Sequence, residues 1–152
     1  MAVFFIETKL TTMKKGIFFL STVVLAISLQ SFKQQQAPVN LQNGKAVYET
    51  YCMSCHQENG NGIEGAFPSL VKTGNLVDKN RLVQVITKGM RGPIAVKGVK
   101  YNSEMAGVDL TDKEVADVVN YIRNSWGNKA PMIKATDVVL AKKAVVKGYQ
   151  PY

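Results

Sequence analysis

Histidine is nearly absent from this chain, at one residue among 152. Cysteine is scarce too, with two residues, and all three fall inside the pentapeptide Cys52-Met53-Ser54-Cys55-His56. That poverty argues against a structural zinc site, which needs four nitrogen or sulfur ligands in a tetrahedron. Three ligands packed into five residues cannot close one. A thioredoxin-like dithiol needs a βαβ frame around its cysteines, whereas the flanks here carry helical spacing. No uncharged run reaches the length of a comfortable membrane span, about 20 residues. Basic helices and interleaved basic and aromatic residues are also missing. The net charge of +8 and the pI of about 9.5 therefore do not indicate nucleic acid. Internal repeats are absent, and the length allows one domain with a tail.

What is present is a C-x-x-C-H run, the spacing of a covalent haem c attachment site. Two thiols three residues apart on a helical turn face the same way, so each can add to a vinyl group of one porphyrin. The next residue, His56, then sits beneath the ring and offers an imidazole nitrogen to iron. A local disulfide between Cys52 and Cys55 is the plainer alternative.

Residues 1–31 read as a signal or leader segment. Met13-Lys14-Lys15 supplies a positive start, and Gly16 to Leu29 is a 14-residue, mostly apolar stretch without charge. That is the length of a signal-peptide h-region. Met13 is a candidate initiator, with cleavage after Ala26-Ile27-Ser28 or after Ser31. An uncleaved leader acting as a membrane tether is the alternative. Without this segment the chain keeps 16 basic and 10 acidic residues, a balance of +6. Residues 32–39, with Gln34-Gln35-Gln36 and Pro38, lack periodicity and read as a polar linker.

A helix is expected from about Asn40 into the motif, because Val47, Tyr48, Tyr51, Cys52 and Cys55 share one helical face. Gly44 inside it costs about 1 kcal/mol relative to alanine, which suggests that another backbone passes closely. Gln57 to Gly65, rich in glycine and asparagine, reads as a loop. Pro68 follows; its carbonyl can only accept, so beside His56 it would fix the ring tautomer. A proline that merely stiffens a turn is the other reading. Asp78 to Lys88 reads as a second helix with Gly89 after it. Met90 to Tyr101 reads as a loop or small hairpin, and Asn102 to Gly107 as extended chain. The third helix carries a Thr111-x-x-Glu114 capping box. Its apolar stripe is Val115, Val118, Val119, Ile122 and Trp126, with Gly127 as its end. A weaker helix is expected around Thr136 to Ala144.

Gly44-x-x-x-Tyr48 before the motif, Phe67-Pro68-x-Leu70 after it, a methionine shortly before a helix, and Asp117-Val118-Val119-Asn120-Tyr121-Ile122 within that helix together resemble a class I, single-haem cytochrome c. The resemblance covers residues 40–128, and residues 129–152 are similar to C-terminal extensions of some bacterial members, expected to pack on the domain. It implies an all-α cytochrome c fold, with three main helices plus short helices and loops wrapped around one covalently attached haem c. The first and last of these helices would cross at Gly44, bringing Gly44 and Tyr48 to Val118 and Tyr121. Cys52 and Cys55 would carry the haem, His56 would bind its iron, and the Pro68 carbonyl would hold the His56 ring.

With histidine exhausted, methionine is the natural sixth ligand. Met1 and Met13 lie in the leader and Met53 is trapped between the cysteines, which leaves Met90, Met105 and Met132. The family places its ligand on a loop shortly before the last helix, which selects Met105. Many members have proline directly after that methionine, and here the residue is Ala106. Haem ligated by His56 and Met105 implies a one-electron carrier rather than a catalyst, since neither axial position stays open. Lys79, Arg81, Lys88, Arg91, Lys97 and Lys100 include no acidic neighbour between Lys79 and Ser103. They would steer redox partner proteins with an acidic docking surface. Thioether attachment occurs outside the cytoplasm in bacteria, so a periplasmic or otherwise exported location is implied. A cytochrome subunit of a dedicated dehydrogenase or oxidase is the alternative role. A haem sensor or peroxidase, which needs a labile sixth ligand, is a further one.

Overall fold

The computed structural model describes residues 39–152. The leader and nearly all of the polar linker lie outside the described residues. The first helix, α1, spans Leu41–Tyr51. It starts where it does because Asn40 is a strong N-cap: its side-chain oxygen accepts from the backbone N–H groups of Gln42 and Asn43. The N–H of Asn40 itself donates to Asp117 Oδ1 at 3.0 Å, so the cap also ties α1 to a distant helix. The chain runs helically into the motif as expected. Cys52, at φ −117° and ψ −32°, is a distorted step whose N–H still bonds the Tyr48 carbonyl, and a single turn, α2, follows over Met53–His56. Tyr51, counted on the apolar stripe, is half exposed instead.

A short 3-10 turn at Gly74–Leu76 leads to α3, Lys79–Lys88, whose N-cap Asp78 accepts from Asn80 and Arg81. Strands β1 (Ile94–Val96) and β2 (Val99–Tyr101) form an antiparallel hairpin in which Val96 pairs with Val99. Its two-residue turn, Lys97-Gly98, has positive φ at both positions (52° and 84°), the geometry that matches strand twist. Helix α4, Asp112–Asn124, opens on the expected capping box between Thr111 and Glu114. It ends earlier than its apolar stripe suggested. Trp126 lies beyond it, with φ 52°, and its indole N–H donates to the Glu58 carbonyl. The last helix, α5, is Ala135–Lys143. The all-α, three-main-helix architecture is thus borne out, with one hairpin added.

Helices α1 and α4 pack at Gly44. A Cβ there would fall inside the Asp117 carbonyl oxygen and 2.9 Å from Tyr121 Cβ. Tyr48, one turn on, is 1% exposed. Its ring lies 5.5 Å from Tyr121 and 5.1 Å from Trp126, in tilted contacts. Val83, Val115, Val118, Val119 and Val138 complete a core with no solvent access. The tail joins that core through buried polar pairs. The Asn120 amide bonds both the N–H and the carbonyl of Ile133 at 2.8 Å. Gln84 Nε2 donates to the Ala141 and Ala144 carbonyls. No helix among the described residues is long and apolar enough to cross a membrane.

Alanine at 44 would gain about 1 kcal/mol of helix propensity. The clash is with backbone, which cannot rotate away, so overpacking prevails. Gly44→Ala is expected to destabilise the domain by about 1–3 kcal/mol, read from the urea midpoint.

Candidate functional site

The turn from Cys52 to His56 carries the site's donors. The N–H groups of Cys55 and His56 return to the Cys52 carbonyl at 3.2 and 2.9 Å. This one-turn fold brings all three motif side chains to a cleft with two lobes. Both lobes share Cys52, His56, Pro68, Met90, Ile94 and Met105. They hold about 700 and 940 Å³ of empty space, including the part open to solvent. Cys55 lines only the outer lobe, with Tyr51 and Ala106. The inner lobe is bounded by Leu76, Leu82 and Ile86, and Thr73, Asn75 and Arg81 also line it.

His56 is buried, and its Nδ1–H donates to the Pro68 carbonyl at 3.0 Å. A carbonyl only accepts, so the proton sits on Nδ1 and the Nε2 lone pair is left free. Burial holds the imidazole below its ordinary pKa, with the Pro68 bond working the other way, so the ring is neutral near pH 7. Burial, with Cys55 adding to it, pushes the Cys52 thiol up to about 11. Both cysteines are free thiols, so the local disulfide is not formed.

The loop from residue 57 to 70 is fastened around the histidine. Tyr48 donates its hydroxyl to the Gln57 carbonyl at 2.6 Å, Gly62 N–H bonds the His56 carbonyl, and Leu70 N–H bonds the Gly60 carbonyl. Gly62, which sequence reasoning left as an ordinary loop residue, lies against the Phe67 carbonyl. A Cβ there would also come within 2.8 Å of the Pro68 oxygen, and its φ is 67°. Only glycine lets the chain return close enough to present that oxygen to His56.

Met105 reaches the cleft on a wall built from other segments. It forms an isolated antiparallel bridge with Met90, exchanging N–H···O bonds of 2.8 and 2.9 Å. Gly89 abuts the Met105 carbonyl, Gly107 abuts the Thr87 carbonyl, and Val108 N–H bonds the Ile86 carbonyl. Met90, one of the three methionines left by elimination, therefore lines the same cleft as Met105. Met132 is 48% exposed and lies outside both lobes. Of the six basic residues, Lys79 pairs with Asp137 at 2.7 Å, Lys88 donates to the Lys142 carbonyl, and Arg81 lines the cleft. Arg91, Lys97 and Lys100 remain exposed.

Gly62→Ala combines a clash with the left-handed penalty, whereas a Cβ at Gly65 (φ 76°) meets nothing within 4 Å. Gly65→Ala should cost about 1–2 kcal/mol, and Gly62→Ala a further 1–3 kcal/mol or so. Urea unfolding of both variants measures the difference.

Comparison with known proteins agrees with this geometry. The family described as "Cytochrome c" matches residues 41–126. Cytochrome c-552 of Thermus thermophilus is 37% identical over 118 residues, covering 72% of this chain and 77% of that protein. The cytochrome c subunit of alcohol dehydrogenase (quinone) from Gluconacetobacter polyoxogenes is 38% identical over 104 residues, covering 62% of this chain and 21% of that subunit. The gluconate 2-dehydrogenase cytochrome c subunit of Pantoea cypripedii is 34% identical over 116 residues, covering 72% of this chain and 26% of that subunit. The donor set fits the group: two free thiols, a neutral imidazole with one nitrogen uncommitted, and thioethers on another wall of a largely apolar cleft. The chain belongs to the cytochrome c family, and it is an electron carrier built on a covalently bound haem c.

Proposed function

We propose that this chain moves single electrons between redox partners outside the cytoplasm, and that Cys52 and Cys55 would join the haem while His56 and Met105 would hold its iron. The observation that carries the reading is His56. Its Nδ1 proton is committed to Pro68, so Nε2 is presented as a base inside a cleft whose other wall carries Met105. When bound, the haem supplies one-electron iron chemistry, at a potential that thioether ligation raises. The protein's share is positioning and exclusion of water. The Pro68 carbonyl holds the imidazole's tautomer and direction. The backbone bridge to Met90, with Gly89 and Gly107 in close contact, steadies Met105 where proline at 106 is lacking. Leu76, Leu82 and Ile86 keep the inner lobe apolar, and Arg81, Thr73 and Asn75 would meet the propionate carboxylates. With His56 and Met105 both holding the iron, no ligand position would be left for substrate, which supports a carrier rather than an enzyme.

The dehydrogenase relatives support a second reading, in which such a domain serves a dedicated enzyme. Co-purification with a dehydrogenase or oxidase would separate that from a free shuttle. The targeting reading of residues 1–31 supports export, with or without a retained tether.

Expressed with a haem c maturation system, the protein should weigh one haem more than its polypeptide. Cys52→Ser with Cys55→Ser should abolish that increment. The ferrous form should resist carbon monoxide at neutral pH, and its one strongly ring-current-shifted methionine methyl should belong to Met105. Rapid carbon monoxide binding would favour a sensor or peroxidase.

Arg91, Lys97 and Lys100 lie exposed on or beside the hairpin, whose Ile94 and Tyr101 line the cleft. They are the residues that would steer an acidic partner. Electron-transfer rates with such a partner should fall as ionic strength rises, and Lys97→Glu should flatten that dependence in stopped-flow measurements. Rates indifferent to salt would remove the steering proposal.

A further inference from the structure

We infer that Met90 is a second thioether ligand, able to take the place of Met105 at the iron. The inference rests on the proposed ligand set and goes beyond it. Met90 and Met105 stand directly opposite one another in an antiparallel bridge, and each donates to and accepts from the other. Residues paired in this way have Cα atoms about 5.5 Å apart and project their side chains from the same face. The shared face is the cleft wall: both methionines line the inner lobe and both line the outer lobe.

Two unbranched thioethers of equal length thus spring from neighbouring points on one wall. Each has three rotatable bonds, so either sulfur can be swung over a few ångströms without moving backbone. The backbone beneath Met90 is held as firmly as that beneath Met105. Arg91 N–H bonds the Gln150 carbonyl at 3.1 Å, and Tyr152 N–H bonds the Lys88 carbonyl at 3.3 Å. The Tyr149 hydroxyl lies 2.6 Å from the Gly89 carbonyl. Met90 therefore has a fixed root and a mobile sulfur.

Exchange of one methionine for the other would break one sulfur–iron bond and form another. No proton, electron or net charge moves. The exchange is consequently independent of pH, unlike replacement by a lysine amine, which must lose a proton before it can bind.

The test uses the haem-loaded protein with its methionine methyl groups labelled with carbon-13, and four forms: unaltered, Met105→Leu, Met90→Leu and the double variant. Leucine keeps the volume and removes the sulfur. In the reduced state the strongly shifted methyl should belong to Met105 in the unaltered protein and in Met90→Leu. It should pass to Met90 in Met105→Leu and vanish in the double variant. If Met90 occupies the site in roughly 90% of Met105→Leu molecules, carbon monoxide should bind that variant about tenfold more weakly than the double variant. The Met105→Leu spectrum should not change across the range in which histidine titrates. Should Met105→Leu fail to load haem, Met105→Ala, which leaves room in the cleft, gives the same comparison. A Met105→Leu protein with no shifted methyl and with the carbon monoxide affinity of the double variant overturns the inference while leaving Met105 as the ligand. A pH-dependent Met105→Leu spectrum overturns it as well. A shifted methyl that belongs to Met90 in the unaltered protein overturns the ligand assignment itself.

Discussion

The close approach of α1 to α4 at Gly44 is the contact on which the histidine side of the cleft depends. Because residue 44 has no side chain, α1 lies directly on the Asp117 carbonyl, and Asn40 can bond the buried Asp117 carboxylate from its own backbone. That closeness brings the Tyr48 ring into a three-way cluster with Tyr121 and Trp126, which also touch each other edge to face. The Tyr48 hydroxyl then holds the Gln57 carbonyl, and Trp126 packs on Gly60 and bonds Glu58. The loop so pinned brings Pro68 to His56. A helix crossing is converted, through one aromatic cluster, into the orientation of one imidazole.

The methionine side is built by different means. It has no regular element of its own. Backbone pairing between Met90 and Met105, glycine contacts at Gly89 and Gly107, and the C-terminal segment hold it together. Residues 129–152 therefore do more than cover the surface. Asn120 and Gln84, both buried, give their side-chain bonds to the tail's backbone, and the tail's last residues bond the chain around Lys88 and Arg91. A buried amide left without these partners would cost about 1–3 kcal/mol, so the tail is coupled to the α3–α4 core and, through it, to the cleft.

Much of this was legible from sequence because it is local. Asn40, Asp78 and the Thr111–Glu114 box cap the helices that follow them, through bonds spanning two or three residues. The motif's five residues decide the thiol and imidazole donors, since they contain every cysteine and histidine in the chain. The glycine in α1 announced a close neighbour, though not which atoms it would meet. Periodicity failed at two places. Trp126 continued the α4 stripe by spacing alone, yet the chain turns before it, and the indole reaches Glu58 from outside the helix. Tyr51 continued the α1 stripe by spacing too, yet it is half exposed, whereas Cys52 beside it packs against the core and lines the cleft.

By itself, then, the sequence determined the family, the helix starts and the residue types able to hold a haem, because each follows from composition or from contacts within a few positions. Tertiary structure alone decided that Arg81 lines the cleft while Arg91, Lys97 and Lys100 stay in solvent, that Gly62 makes room for the Pro68 carbonyl, and that Met90 shares a wall with Met105. These depend on which distant backbones approach one another, and spacing along a chain does not encode that distance.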